Sequence, residues 1–98
     1  MIQVLLPTHL RRLAGVARGV SLEVPAPVTL GAVLDELERL HPALRGTIRD
    51  HSTKQRRDFV RFFMLQEDWS HASYDVELPE VVVQGREPLR IVGAMAGG

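Results

Sequence analysis

The segment Thr29-Leu30-Gly31-Ala32-Val33-Leu34-Asp35-Glu36-Leu37-Glu38-Arg39-Leu40 organises the rest of the chain. Leu30, Val33, Leu34, Leu37 and Leu40 fall at i, i+3, i+4, i+7 and i+10, which is one apolar stripe of an amphipathic helix. Asp35, Glu36, Glu38 and Arg39 take the wet side. Thr29 can accept a hydrogen bond from the first free backbone N–H groups and so cap the start. Pro42 disfavours helical geometry in His41 and stops the helix there. Pro42 to Ile48 makes one more turn, with Leu44 and Ile48 dropping into the core.

Strands flank this helix on both sides. Ile2 to Leu6 reads as a buried strand, ended by Pro7-Thr8. His9 to Gly19 reads as an irregular connection, because Gly15 and Gly19 interrupt the helical spacing of Leu10 and Leu13. Val20 to Val24 alternates apolar and polar with the period of a half-buried strand. Asp50 to Asp58 is polar and reads as an exposed loop, in which Arg56 and Arg57 are solvated. Phe59 to Leu65 is the clearest strand, followed by a turn at Gln66-Glu67-Asp68. Trp69 to Tyr74 pairs back or wanders, with Trp69 as a core or rim anchor. Pro79 confines Val76 to Val83 to a short edge strand. Leu89 to Val92 is the last strand. One amphipathic helix covers only one face of such a sheet, which gives a two-layer α+β domain.

Composition narrows the function. At 98 residues the chain is one domain with room for a single modest core. Twelve basic and twelve acidic residues leave it neutral, which argues against nucleic acid and anionic membrane as partners. Eleven of the twelve basic residues are arginine, a pattern that codon bias accounts for as well as anion contact does. There is no cysteine, so no disulfide, thiolate nucleophile or Cys-ligated metal. His9, His41, His51 and His71 lack metal-like pairing, so no metal is expected. Adjacent Glu67 and Asp68 read as turn residues. No apolar run reaches the roughly 18 residues of a membrane span. The N-terminus lacks the charged start of a signal peptide, and the expected location is cytoplasmic.

The last residues are Ala94-Met95-Ala96-Gly97-Gly98. With Gly at about 7% of average sequence, two terminal glycines arise by chance about once in 200 chains. Glycine has no Cβ, so such an end can enter a narrow slot and leaves its carboxylate open to attack. Five extended residues reach at most about 16–18 Å. Residues 1–93 are therefore expected to form the domain and residues 94–98 a flexible tail.

The order of elements, with Thr-Leu-Gly-Ala-Val-Leu opening the helix and Ile-Val-Gly-Ala-Met-Ala-Gly-Gly closing the chain, resembles the ubiquitin-like sulfur carriers of the ThiS and MoaD family. The resemblance covers essentially the whole chain. Gly93 stands where the family often has Pro, and Met64-Leu65-Gln66-Glu67-Asp68 lacks the family's Asn-Gly turn. The long Asp50–Asp58 loop and the opening Leu6-Pro7-Thr8-His9-Leu10-Arg11 look more like the carriers that serve cysteine synthesis.

The resemblance implies a β-grasp fold: a mixed sheet of four to five strands on one main helix. It also implies a carrier rather than an enzyme. A ubiquitin-activating-type adenylyltransferase would use ATP to adenylate Gly98, and a sulfur source would convert it to a thiocarboxylate. A synthase of cysteine, molybdopterin or thiamine formation would then accept the sulfide. Ala94, Met95, Ala96 and Gly97 would supply the reach. This chain has neither a phosphate loop nor a Gly-x-Gly-x-x-Gly fingerprint, so the ATP chemistry falls to the partner, and no cofactor is expected to be bound. The alternatives are a protein modifier joined to lysines through Gly98, and a plain interaction domain.

In the family sheet the last strand lies between the first and third. Arg61 resists burial, so its side of the third strand is the wet one. Leu5, Phe63 and Val92 then form an exposed apolar patch flanked by Arg61 and Arg90, with Leu65 on the same side. Such a patch marks a partner-docking face. A register shifted by one residue would instead make these residues core.

Overall fold

In the computed structural model, which describes residues 1–93, the leading helix is α2, Leu30–Leu40. The Ala32 N–H donates to Thr29 Oγ1 at 3.1 Å, and Leu30, Val33, Leu34 and Leu37 are buried. Leu40, at the end of the stripe, is exposed. A 3-10 turn at Pro42–Leu44 follows, and Leu44 and Ile48 are buried in the core.

Five strands form one sheet: β1 Ile2–Leu5, β2 Gly19–Leu22, β3 Val60–Met64, β4 Glu67–Asp68 and β5 Leu89–Gly93, in the order β2-β1-β5-β3-β4. β1 and β5 run parallel at the centre, and every other pairing is antiparallel. Burial alternates along the strands. Ile2, Val4, Val60, Phe62, Met64, Leu89 and Ile91 are buried and join the α2 stripe in one core. The fold is α+β, a mixed sheet packed on one main helix, as the β-grasp requires.

Four stretches differ from the expectation, one of them Gln66-Glu67-Asp68, where the turn falls at Leu65-Gln66 and Glu67–Asp68 pairs with β3 as β4. Thr8–Ala14 is a helix, α1, rather than an irregular connection. Gly15 does not interrupt it but ends it. At φ 72° Gly15 takes the left-handed conformation, its N–H donates to Arg12 O, and the Val16 N–H reaches Arg11 O. That is a Schellman closure, and glycine is the residue that adopts it without strain. Val76 to Val83 is not an edge strand. Leu78 N–H donates to Val28 O and Leu30 N–H to Val76 O, so this segment ties down the start of α2. Pro79 then opens the short helix α3, Glu80–Val83, a position where its missing N–H costs nothing.

The fourth correction concerns residues 50–58. Arg56 and Arg57 are half-buried, not solvated. Arg56 donates to the carbonyls of Ser70 at 2.9 Å and Val60 at 2.6 Å, and Arg57 Nε donates to Gly46 O at 2.9 Å. The loop is anchored through main-chain oxygens, which hydropathy does not register. Beneath it, Arg49 is 2% exposed, and Glu38, expected on the wet side of α2, is only 5% exposed because it pairs with Arg49. Arg49 Nε donates to Glu38 Oε2 at 2.8 Å, its Nη2 bonds Asp35, and its guanidinium lies 5.6 Å from the centre of the Tyr74 ring. Burial alone would favour a neutral Arg49, yet its bonds to Glu38 and Asp35 outweigh this and push its pKa upward.

The β3–β4 turn places Leu65 at φ 53° and Gln66 at φ 66°. Two positive φ values in a two-residue hairpin define the type I′ turn, which favours Asn-Gly. Leu65→Asn with Gln66→Gly should stabilise the domain by about 1 kcal/mol, read as a higher denaturant midpoint at unchanged slope. Arg49→Met alone should cost about 3 kcal/mol by leaving buried Glu38 with only the Lys54 ammonium, 3.9 Å away, and adding Glu38→Leu should restore most of it. A double-mutant cycle in urea measures the difference.

Candidate functional site

One face of the sheet is covered by α2 and the other carries the alternate side chains. Strand register aligns a row across it: Gly19 pairs with Leu5, Leu5 with Arg90, Arg90 with Phe63, and Phe63 with Asp68. Arg61 sits opposite Val92 in the next row. Leu5, Arg61 and Phe63 are partly exposed, and Arg90 and Val92 are exposed. The structure therefore brings Leu5, Arg61, Phe63, Arg90 and Val92 together on the open face. Leu65 is displaced to the hairpin turn, where it is exposed. It still meets Phe63 and Arg90 in a small depression walled also by Gln66, Glu87 and Pro88.

Asp68 belongs to this face, which the reading of Glu67-Asp68 as a bare turn missed. Arg61 Nη1 lies 3.4 Å from Asp68 Oδ2, so β4 orients the arginine beside Phe63. Hydrogen bonds from Ser70, from both side chain and backbone, hold the Asp68 carboxyl below the usual carboxylate range, with Arg61 and His71 helping. The signal was present in sequence as Asp68-x-Ser70, a local Asx-type pairing.

β5 ends at Gly93, opposite Val60. Ala94, Met95, Ala96, Gly97 and Gly98 lie outside the described residues. Where β5 ends, an open depression of about 380 Å³ is walled by Leu5, Leu6, Pro7, Thr8, Arg11, Arg18 and the stretch Arg90–Gly93. Arg11 comes from α1 and Arg18 from the α1–β2 connection. Sequence reading passed over both because it took that stretch as irregular. Among the described residues no cluster of three metal-ligating side chains occurs, and no helix is long and apolar enough to cross a membrane.

Comparison with solved structures places the architecture. The chain is similar to SAMP1 from Haloferax volcanii, with a TM-score of 0.75, 24% identity, and 98% of this chain and 97% of that one covered. A second structure of H. volcanii small archaeal modifier protein 1 gives a TM-score of 0.71 at 22% identity over 91% of both chains. A chain of the Amycolatopsis orientalis BexX/CysO complex matches over 100% of both chains, with a TM-score of 0.75 and 22% identity. These likenesses show that the described residues take the ubiquitin-like β-grasp fold. No family model and no curated protein matches the chain.

The lowered pKa of Asp68 fixes a pH dependence. A carboxyl whose folded pKa is depressed contributes stability above its unfolded pKa and loses it as pH falls through the folded value. Asp68→Asn should therefore destabilise the domain near neutral pH, and the gap to the unmodified protein should close in acid. Denaturant midpoints measured from neutral to acid pH check this.

Proposed function

We propose that the protein is a sulfur carrier whose Gly98 carboxylate is adenylated by a ubiquitin-activating-type adenylyltransferase and converted to a thiocarboxylate. The observation that carries this reading is where β5 leads. β5, at the centre of the sheet, ends at Gly93, five residues before the Gly98 carboxylate in sequence, and its outward side borders a patch of Leu5, Phe63 and Val92. The chemistry needs such an arrangement. A carboxylate repels nucleophiles and has oxide as its leaving group. Adenylation supplies a good leaving group, and sulfur can then replace AMP. ATP binds to the partner. A domain that only presents the carboxylate needs a docking face and a thin end, not a catalytic pocket.

Leu5, Arg61, Phe63, Leu65, Arg90 and Val92 would dock the activating enzyme and then the sulfur-accepting synthase, in cysteine, molybdopterin or thiamine formation. The likeness to a chain of the BexX/CysO complex supports a role exercised in company with a second protein. The likeness to small archaeal modifier protein 1 favours a second reading, in which Gly98 is joined to lysines of other proteins. Both readings place the working end in a compartment with ATP, and the cytoplasm is the proposed location.

The test is intact mass after incubation with ATP, a sulfur source and the cognate activating enzyme. A carrier should gain the mass difference between sulfur and oxygen at Gly98. Isopeptide-linked conjugates without that gain would favour the modifier, and neither product would overturn both. Phe63→Asp should leave the fold intact and weaken docking at least tenfold, as a charge in an apolar interface centre costs about 1.4 kcal/mol or more. Calorimetry against the activating enzyme reads it.

A further inference from the structure

The wall of the depression where β5 ends is chemically one-sided. Arg11, Arg18 and Arg90 line it, and among the described residues no carboxylate does. A second depression of about 440 Å³ shares Leu5, Arg18 and Arg90 with it and has no carboxylate among the described residues of its wall, whereas Glu87 joins Arg90 only in the small depression at the β3–β4 turn. The whole chain is neutral, so this is charge segregation rather than general basicity. Arg18 and Arg90 are exposed and take part in no side-chain hydrogen bond or salt bridge among the described residues. Arg11 is held in place: Nη2 donates to Thr8 Oγ1 at 2.8 Å and Nη1 to Ala17 O at 3.2 Å, while its buried Nε has no partner among the described residues.

Apolar surface is interleaved with the arginines. Leu5 and Val92 stand beside Arg90, and half-buried Pro7 continues the wall. A small inorganic anion would use the guanidinium groups and gain nothing from these side chains. A protein segment carrying both carboxylate and apolar groups would use both. Arginine forks also match carboxylates in plane and hydrogen bonding.

We propose that the surface at the root of residues 94–98 binds a partner segment in which carboxylates flank an apolar side chain. The apolar side chain seats against Leu5 and Val92, and the carboxylates meet Arg18 and Arg90, with Arg11 adding a fixed positive charge. This deepens the carrier reading and rests on it for its biological setting: a protein that receives the Gly98 end would carry acidic groups at the mouth of its cleft. The contacts to Arg18 and Arg90 are exposed and individually weak. The arrangement selects partners and speeds encounter more than it adds affinity.

The experiment titrates the peptide acetyl-Glu-Leu-Glu-amide into the full chain and follows backbone amide and arginine Nε–H signals by NMR. Signals of Leu5, Val92, Arg18 and Arg90 should move together. The combined change Arg18→Gln, Arg90→Gln should weaken binding about fivefold to tenfold. Raising salt from about 0.05 M to 0.5 M should weaken it likewise. Arg45→Gln, on an exposed residue outside these walls, should leave it unchanged. No movement of these signals would overturn the proposal, and so would equal movement with the lysine peptide acetyl-Lys-Leu-Lys-amide. Arginine signals that already titrate with the Gly98 carboxylate, and that the glutamate peptide leaves unmoved, would show the site taken by the chain's own end and overturn it too. The peptide needs no activated Gly98, so a failed thiocarboxylate assay and a failed titration report on different claims.

Discussion

Parallel pairing of the first and last strands is the constraint on which the rest of this molecule depends. Val4 aligns with Leu89 and Leu5 with Arg90 at the centre of the sheet. A parallel pair cannot be closed by a tight turn and needs a long crossover. Nearly everything between Leu6 and Pro88 is that crossover, and α2 within it covers the sheet. Because β5 is flanked by β1 and β3, its outward side chains fall in rows with Leu5 and Phe63. The open face and the starting point of residues 94–98 are thus set by one pairing. Neither loop length nor surface composition decides them.

A buried ion pair supports this frame from the other side. Arg49 and Glu38 join the segment after the 3-10 turn to the back of α2, and Asp35 and Tyr74 complete the surroundings of the guanidinium. Desolvating two such charges is expensive, and a well-packed apolar pair would be at least as stabilising. Their use lies in position. Arg49 fixes where the long loop leaves the helix, and Arg56 and Arg57 then hold it against carbonyls of Ser70, Val60 and Gly46. Residues 50–58 are polar in composition yet held at several points along their length.

The parts of the fold legible in sequence were those written in periodicity. The Leu30–Leu37 stripe, the Thr29 cap and the alternation in β3 and β5 all have local physical causes, and from them followed which side of the sheet is open. What escaped was written in single residues with two readings. Gly15 breaks a helical pattern or closes it, and only the hydrogen bonds to Arg11 and Arg12 show which. Pro79 ends a strand or begins a helix. Arg56 and Arg57 look solvated until their main-chain acceptors are known, because nothing in the sequence marks a carbonyl as available. The same ambiguity hid Arg11 and Arg18, whose meeting with Arg90 depends on α1 and on the β1–β5 pairing together.

The centrality of β5 also has a consequence in time. β5 comes after every other strand in the sequence, and without it β1–β2 and β3–β4 are two antiparallel pairs with no strand between them. The contacts that complete the core, Leu89 and Ile91 against the α2 stripe, span most of the chain's length, which is the kind of long-range closure that comes late in folding. The Leu5–Arg90–Phe63 row is thus incomplete until β5 joins the sheet. A protein that recognises the row therefore reads a completed sheet rather than any one segment of the chain.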